Sequence, residues 1–224
     1  METKPAAWRR ELDVLLLQSR LIATGLRRRP AVRTGPRVAV FVHGFLAAGP
    51  VFDPLREHVE ETTGLPGVDF TYSPFASFAA IVHRLNRLVE RTLPAGARVS
   101  LVGHSLGGLA ARWYVQEMGG RARVDRLVTL ATPHAGTEVA RLLPLPLGQA
   151  IHPEGSVVQR LEQRAHLLAD VPHTMVVAGR DRLIDPVESA AAAPQGRVVW
   201  LPDVGHNEIL YDARSHRIVA GALE

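Results

Sequence analysis

Ser105, His206 and one of two aspartates are the residues whose types and order could do chemistry together. Ser105 lies in Gly103-His104-Ser105-Leu106-Gly107-Gly108. A serine hydroxyl attacks poorly until a base takes its proton, and the base needs an acid to orient it. His206 follows the last expected strand and is the candidate base. Asp181 and Asp185 both follow a strand ending at Ala178, and either could be the acid. The N–H of Leu106 follows the serine at a helix N-terminus, where it can face charge developing on a substrate oxygen. His134, His152, His166 and His173 have no metal-ligand spacing and no HExxH occurs, so no metal is expected. His216 reads as a surface residue of the closing helix.

Positioning such a set requires particular elements. Arg98 to Val102 is a short apolar stretch that reads as a buried strand, and Leu109 to Met118 is rich in helix formers. The order strand, G-x-S-x-G, helix turns a common motif into a sharp turn from which the serine projects. Side chains at 103 and 107 would collide with the neighbouring strand and helix, so both positions need glycine. Strands are also expected at Arg37–Val42, Gly67–Tyr72, Val124–Leu130, His173–Ala178 and Arg197–Leu201. Helices are expected at Val51–Thr63, Ser77–Leu93, Ser156–Leu168, Val187–Ala193 and Tyr211–Ala222. Strictly alternating strands and helices imply a mostly parallel sheet of about six strands with helices on both faces. Loops at the carboxyl ends of parallel strands share one side of the sheet, so Ser105, Asp181 and His206 can converge there.

Composition removes other classes of function. The 224 residues suit one catalytic domain, here 35–224, and 46% hydrophobic content argues against disorder. Without cysteine there is no disulfide, thiolate site or Cys nucleophile. The net charge of +4 gathers at the start: residues 1–34 carry eight basic and three acidic groups, and the rest is near neutral, so nucleic acid is not an expected partner. Residues 6–29 read as an Arg-rich amphipathic helix, followed by a Pro/Gly connector. Its apolar core Val14-Leu15-Leu16-Leu17 is too short and too interrupted for a signal peptide. This helix either packs on the domain or makes peripheral contact with a membrane. A cytoplasmic location is expected, with that contact as an addition; secretion stays open.

The chain resembles the small bacterial lipases and esterases of the α/β-hydrolase superfamily. Val40-Phe41-Val42-His43-Gly44-Phe45 resembles their oxyanion strand, and Gly103 to Gly108 their nucleophile turn. Leu130-Ala131-Thr132-Pro133-His134-Ala135-Gly136-Thr137 resembles the TPH-x-GT segment of the triacylglycerol lipase and GPI-inositol-deacylase-like group. The resemblance covers residue 37 to about 210, without the superfamily's first two strands. It implies that Phe45 supplies a second oxyanion N–H beside Leu106 and lines the acyl pocket, and that His43 is structural. Asp181-Arg182-Leu183-Ile184 resembles the run after the superfamily's acid, which favours Asp181. Asp185, before Pro186, then reads as a helix cap.

The expected activity is that of a serine carboxylester hydrolase without cofactor. It would act on a small-molecule or lipid ester through Ser105, His206 and Asp181, with Phe45 and Leu106 as oxyanion donors. A thioesterase or acyltransferase on the same triad is the alternative, and a non-catalytic lipid-binding protein a more distant one. His104 is expected among the substrate-binding residues. The Leu- and Pro-rich stretch near 142–155 reads as a short lid-like insertion, with Leu145 and Leu147 lining the pocket mouth. Packing of those leucines against the helices is the competing reading.

Overall fold

The computed structural model describes residues 13, 14, 16–23, 35–73, 75–142 and 147–224. Six strands are present: β1 (Arg37–Val42), β2 (Gly67–Phe70), β3 (Arg98–His104), β4 (Val124–Leu130), β5 (His173–Ala178) and β6 (Arg197–Leu201). They pair in parallel, in the order β2-β1-β3-β4-β5-β6. Residues 13–14 and 16–23 are helical and are termed α1. The later helices are α2 (Asp53–Thr63), α3 (Phe78–Arg87), α4 (Leu106–Glu117), α5 (Leu147–Ile151), α6 (Ser156–Gln163) and α7 (Ala213–Leu223).

A strand covered on both faces needs apolar residues at every position. In β1, Val38, Val40 and Val42 enter one core while Ala39 and Phe41 enter the other. The first core packs beneath α3, α4, α5 and α6, through Ile81, Leu85, Leu109, Leu147 and Leu161 among others. The second packs beneath α2 and α7, through Leu55, Val59, Val219 and Leu223. Each fully buried Val, Leu or Phe contributes roughly 1.5–3 kcal/mol relative to exposure. The sheet interior is thereby the fixed frame of the molecule. At the outer edge β6 is half bare, with Trp200 44% exposed.

Local signals set the helix ends. Ser77 accepts the Ala80 N–H at the start of α3, and Asp212 accepts the Arg214 N–H at the start of α7. The helix expected from Val51 opens as a 3₁₀ turn over Gly49–Phe52 and becomes α-helical at Asp53, with Pro54 in its first turn. The helix expected over Ser77–Leu93 ends as α-helix at Arg87 and continues as a π-turn over Leu88–Thr92. The insertion near 142–155 contains the short helix α5, and residues 143–146 lie outside the described residues.

The chain runs from β1 to β2 on one side and then crosses to β3 on the other side of β1. Loops leaving β1 and β3 therefore part in opposite directions and open a crevice at the carboxyl edge of the sheet, where ligands bind in open α/β folds.

Candidate active site

Ser105 stands at that crevice, between β3 and α4. Its backbone has φ 54° and ψ −124°, a conformation that costs a non-glycine residue about 1–3 kcal/mol. The surroundings enforce it. The Ser105 N–H donates to Leu130 O at 2.9 Å, and its carbonyl accepts the Gly108 N–H at 3.0 Å. A Cβ at Gly107 would fall on the carbonyl oxygens of Val42 and His43, and one at Gly103 would meet the Gly108 backbone. Both glycines thus allow α4 to start directly against β1 and β3. No side chain caps the start of α4.

Phe45 lies just beyond β1, packed against the first core. The loop carrying it is held by a pair the sequence reading did not include. His43 and Tyr72 stack with ring centroids 3.9 Å apart. The Tyr72 hydroxyl donates to His43 O at 2.7 Å, and His43 Nε2 accepts the Tyr72 N–H at 3.2 Å. His43 Nδ1–H donates to Gly44 O at 2.8 Å, which fixes the tautomer. Burial lowers the His43 pKa to about 4, so the ring is neutral and structural.

On the opposite side, His206 Nδ1–H donates to Asp181 Oδ2 at 2.6 Å. Asp181 Oδ1 accepts the N–H groups of Leu183 at 2.8 Å and Ile184 at 3.0 Å. Both carboxylate oxygens are therefore engaged, and the His206 ring is oriented with Nε2 as its lone-pair nitrogen. The Asp181 side chain is 1% exposed and that of His206 9%. Among the described residues no hydrogen bond joins Ser105 to His206, a looseness common before substrate binds. The side chain of Asp185 neither reaches His206 nor caps the 3₁₀ turn that follows Pro186. Its backbone instead ties to the next loop, the N–H donating to Thr137 Oγ1 and the carbonyl accepting the Glu138 N–H.

Two expectations for the substrate site are corrected. His104 does not line it: the ring is 3% exposed and its Nε2–H donates to His206 O at 2.9 Å. Burial, reinforced by the neighbouring His206, lowers the His104 pKa to about 3. His104 is a neutral prop beneath His206, packed between that loop and the one at Gly44. Leu147 is 7% exposed and packs in the first core, where it also lines a cavity of about 570 Å³ with Phe78 and Trp113, away from Ser105 in the α3–α4 layer. Leu145 lies outside the described residues.

The loop after β4 is tied down by buried polar groups. Thr129 Oγ1 lies 3.0 Å from His134 Nε2 and 2.9 Å from His173 Nε2. Burial drives the pKa of both rings down, that of His173 to about 3. Arg112, wholly buried in α4, donates to Gln116, to His134 O and to Leu161 O, joining α4 to this loop and to α6. Burial lowers its pKa only to about 10, so it stays cationic at neutral pH. A lone arginine in an otherwise apolar helix was the available sequence signal for this clamp.

A six-stranded parallel sheet with a strained serine turn after β3 and an Asp–His pair after β5 and β6 has the α/β-hydrolase fold. Within that class the chain belongs to the palmitoyl protein thioesterase family, whose model matches residues 40–178. The fold is similar to the Bacillus licheniformis lipase BlEst2 in mature form, with TM-score 0.67 and 17% identity, covering 87% of this chain and 96% of that one. It is also similar to a Listeria innocua protein, with TM-score 0.62 and 15% identity over 84% and 93% of the two chains. Est1E from Butyrivibrio proteoclasticus gives TM-score 0.58 and 17% identity over 85% and 86%. No curated protein sequence matches the chain. Among the described residues no helix is long and apolar enough to cross a membrane.

Proposed function

We propose that this protein is a serine hydrolase that cleaves carboxylic acyl esters through an acyl-enzyme. The observation that carries the reading is the 2.6 Å His206–Asp181 contact at the crevice where the strained Ser105 projects. Ser105 Oγ attacks the acyl carbonyl while His206 Nε2 takes its proton. The negative oxygen is received by the N–H groups of Phe45 and Leu106, which cost no reorganisation as charge develops. His206 then gives the proton to the departing alcohol, and water, deprotonated by the same imidazole, releases the acid. Asp181 holds the tautomer and stabilises the imidazolium.

Membership of the palmitoyl protein thioesterase family favours a second reading, in which the departing group is a thiol. The triad chemistry is unchanged, because a thiolate leaves more readily than an alkoxide. One experiment separates the two: kcat/KM for matched oxygen and thiol esters of one acyl chain, with fluorophosphonate labelling of Ser105 as the check on mechanism. Ester turnover with labelling supports the first reading, and a strong thioester preference moves the assignment to the second. A folded wild-type protein that neither labels nor turns over either substrate overturns both.

A further inference from the structure

The helix that precedes the sheet packs on the domain, one of the two placements expected for it, and lies beside the loops after β1 and β6. Val14 of α1 lines a cavity of about 250 Å³ together with Leu183, His206 and the charged residues Arg180, Arg182 and Glu208. One turn on, Gln18 lies against the Tyr211 hydroxyl. Two turns on, Ile22 lines a second cavity of about 400 Å³ with Leu46, Ala47 and Tyr72, beside the oxyanion loop. Positions 14, 18, 21 and 22 share one helical face and are each half-buried, whereas Leu16 and Leu17 on the other face are 51% and 37% exposed.

These contacts lie at both ends of the reactive centre. From Val14 to Ile22 a helix rises about 12 Å. The loops after β1 and β5 stand three strand spacings apart, about 14 Å, with β3 and its serine between them. The helix therefore runs along the carboxyl edge of the sheet, from the base to the oxyanion loop. In ester cleavage the base returns its proton to the departing group, so the space against His206 is where that group must sit.

We propose that α1 is the wall of the leaving-group side of the site, and that Val14 is the residue sorting alcohols or thiols by size there. The inference rests on the serine-hydrolase reading and adds to it a part of the chain outside the sheet. Acyl length is sorted elsewhere, on the Phe45 side.

The test keeps the acyl group fixed as butyrate and varies the leaving group between ethanol and 4-methylumbelliferone. kcat/KM reports acylation, the step that contains the leaving group. Val14→Trp should lower kcat/KM for the umbelliferyl ester about tenfold and leave ethyl butyrate within about twofold. Val14→Ala, which removes contact without adding bulk, should raise the umbelliferyl value. Labelling of Ser105 by a small fluorophosphonate should proceed at the wild-type rate in both variants. Equal changes for the two esters, or none, in labelled protein overturn the assignment of Val14 while the hydrolase reading stands. Loss of labelling in the wild type itself overturns the hydrolase reading and this inference with it.

Discussion

Around Ser105 the backbone is held by main-chain packing, whereas around His206 it is held by side chains. The serine turn is wedged between β1, β3 and α4, with glycines where any Cβ would strike a carbonyl, and its positive φ is enforced by backbone hydrogen bonds. His206 sits on a loop beyond β6, a strand exposed along much of its length, and is fixed by Asp181 Oδ2 at Nδ1 and by His104 at its carbonyl. In the proposed mechanism the nucleophile and the oxyanion donors must not move as charge develops, which the rigid interior provides. The proposed base must exchange protons with a departing group and with water, which suits a loop whose orientation, rather than whose backbone, is controlled.

This contrast can be tested by removing what each side depends on. The largest effect is expected for Ser105→Ala, which should abolish turnover and phosphonate labelling, a loss on the order of 10⁶-fold by analogy with other serine hydrolases. Substantial turnover in a folded variant would remove the serine side from the mechanism. On the other side, Asp181→Asn should leave the ring in the wrong tautomer and cut kcat on the order of 10⁴-fold. Asp185→Asn should change kcat little, because its side chain makes no contact with His206. A reversed ranking in steady-state kinetics would reassign the acid.

A stability effect separates the two sides next. Gly107→Ala drives a methyl into the Val42 and His43 carbonyls, and should destabilise by about 3 kcal/mol, the upper part of the range for point substitutions. For a domain of this size that is roughly a 10 °C fall in Tm. Val14→Ala, at a half-buried position of α1, should stay within a few degrees of wild type. Equal losses in thermal melts would mean that the two sides are equally rigid.

A pH dependence of stability is expected from the buried histidines. His43, His104 and His173 are held neutral in the fold, with pKa values lowered to about 4, 3 and 3 from 6.5 by burial. Below about pH 6.5 the unfolded chain takes up protons that the folded chain refuses, so stability falls as pH drops, by up to about 1.4 kcal/mol per histidine per pH unit. Asp69 opposes this: burial raises its pKa to about 6, so its contribution to stability grows as pH falls through that value. His134 and His216 are lowered likewise, so the histidines outweigh Asp69 and Tm should decline between pH 7 and pH 5. A flat Tm would mean that these imidazoles ionise within the fold.

Much of this was legible in the sequence. The apolar runs of β1, β3 and β4 announced a buried parallel sheet, because only strands covered on both faces need apolar residues at every position. The glycines at 103 and 107 announced the serine turn, because a close backbone approach excludes other side chains. Local order also placed Asp181 and His206 after successive strands, and the run after Asp181 already favoured it over Asp185; the fold then showed which carboxylate meets the ring. Tertiary structure alone decided the rest. It turned His104 from a pocket residue into a prop, because burial depends on which layer covers a side chain. It put Leu147 in the first core beside a cavity shared with Phe78 and Trp113, from segments far away in the chain. It made Tyr72 the clamp of the oxyanion loop from 29 residues away, and it laid α1 along the carboxyl edge beside His206. Sequence patterns report the period and chemistry of neighbours along the chain. Contacts between distant segments depend on how the sheet stacks those neighbours, and no local pattern carries that information.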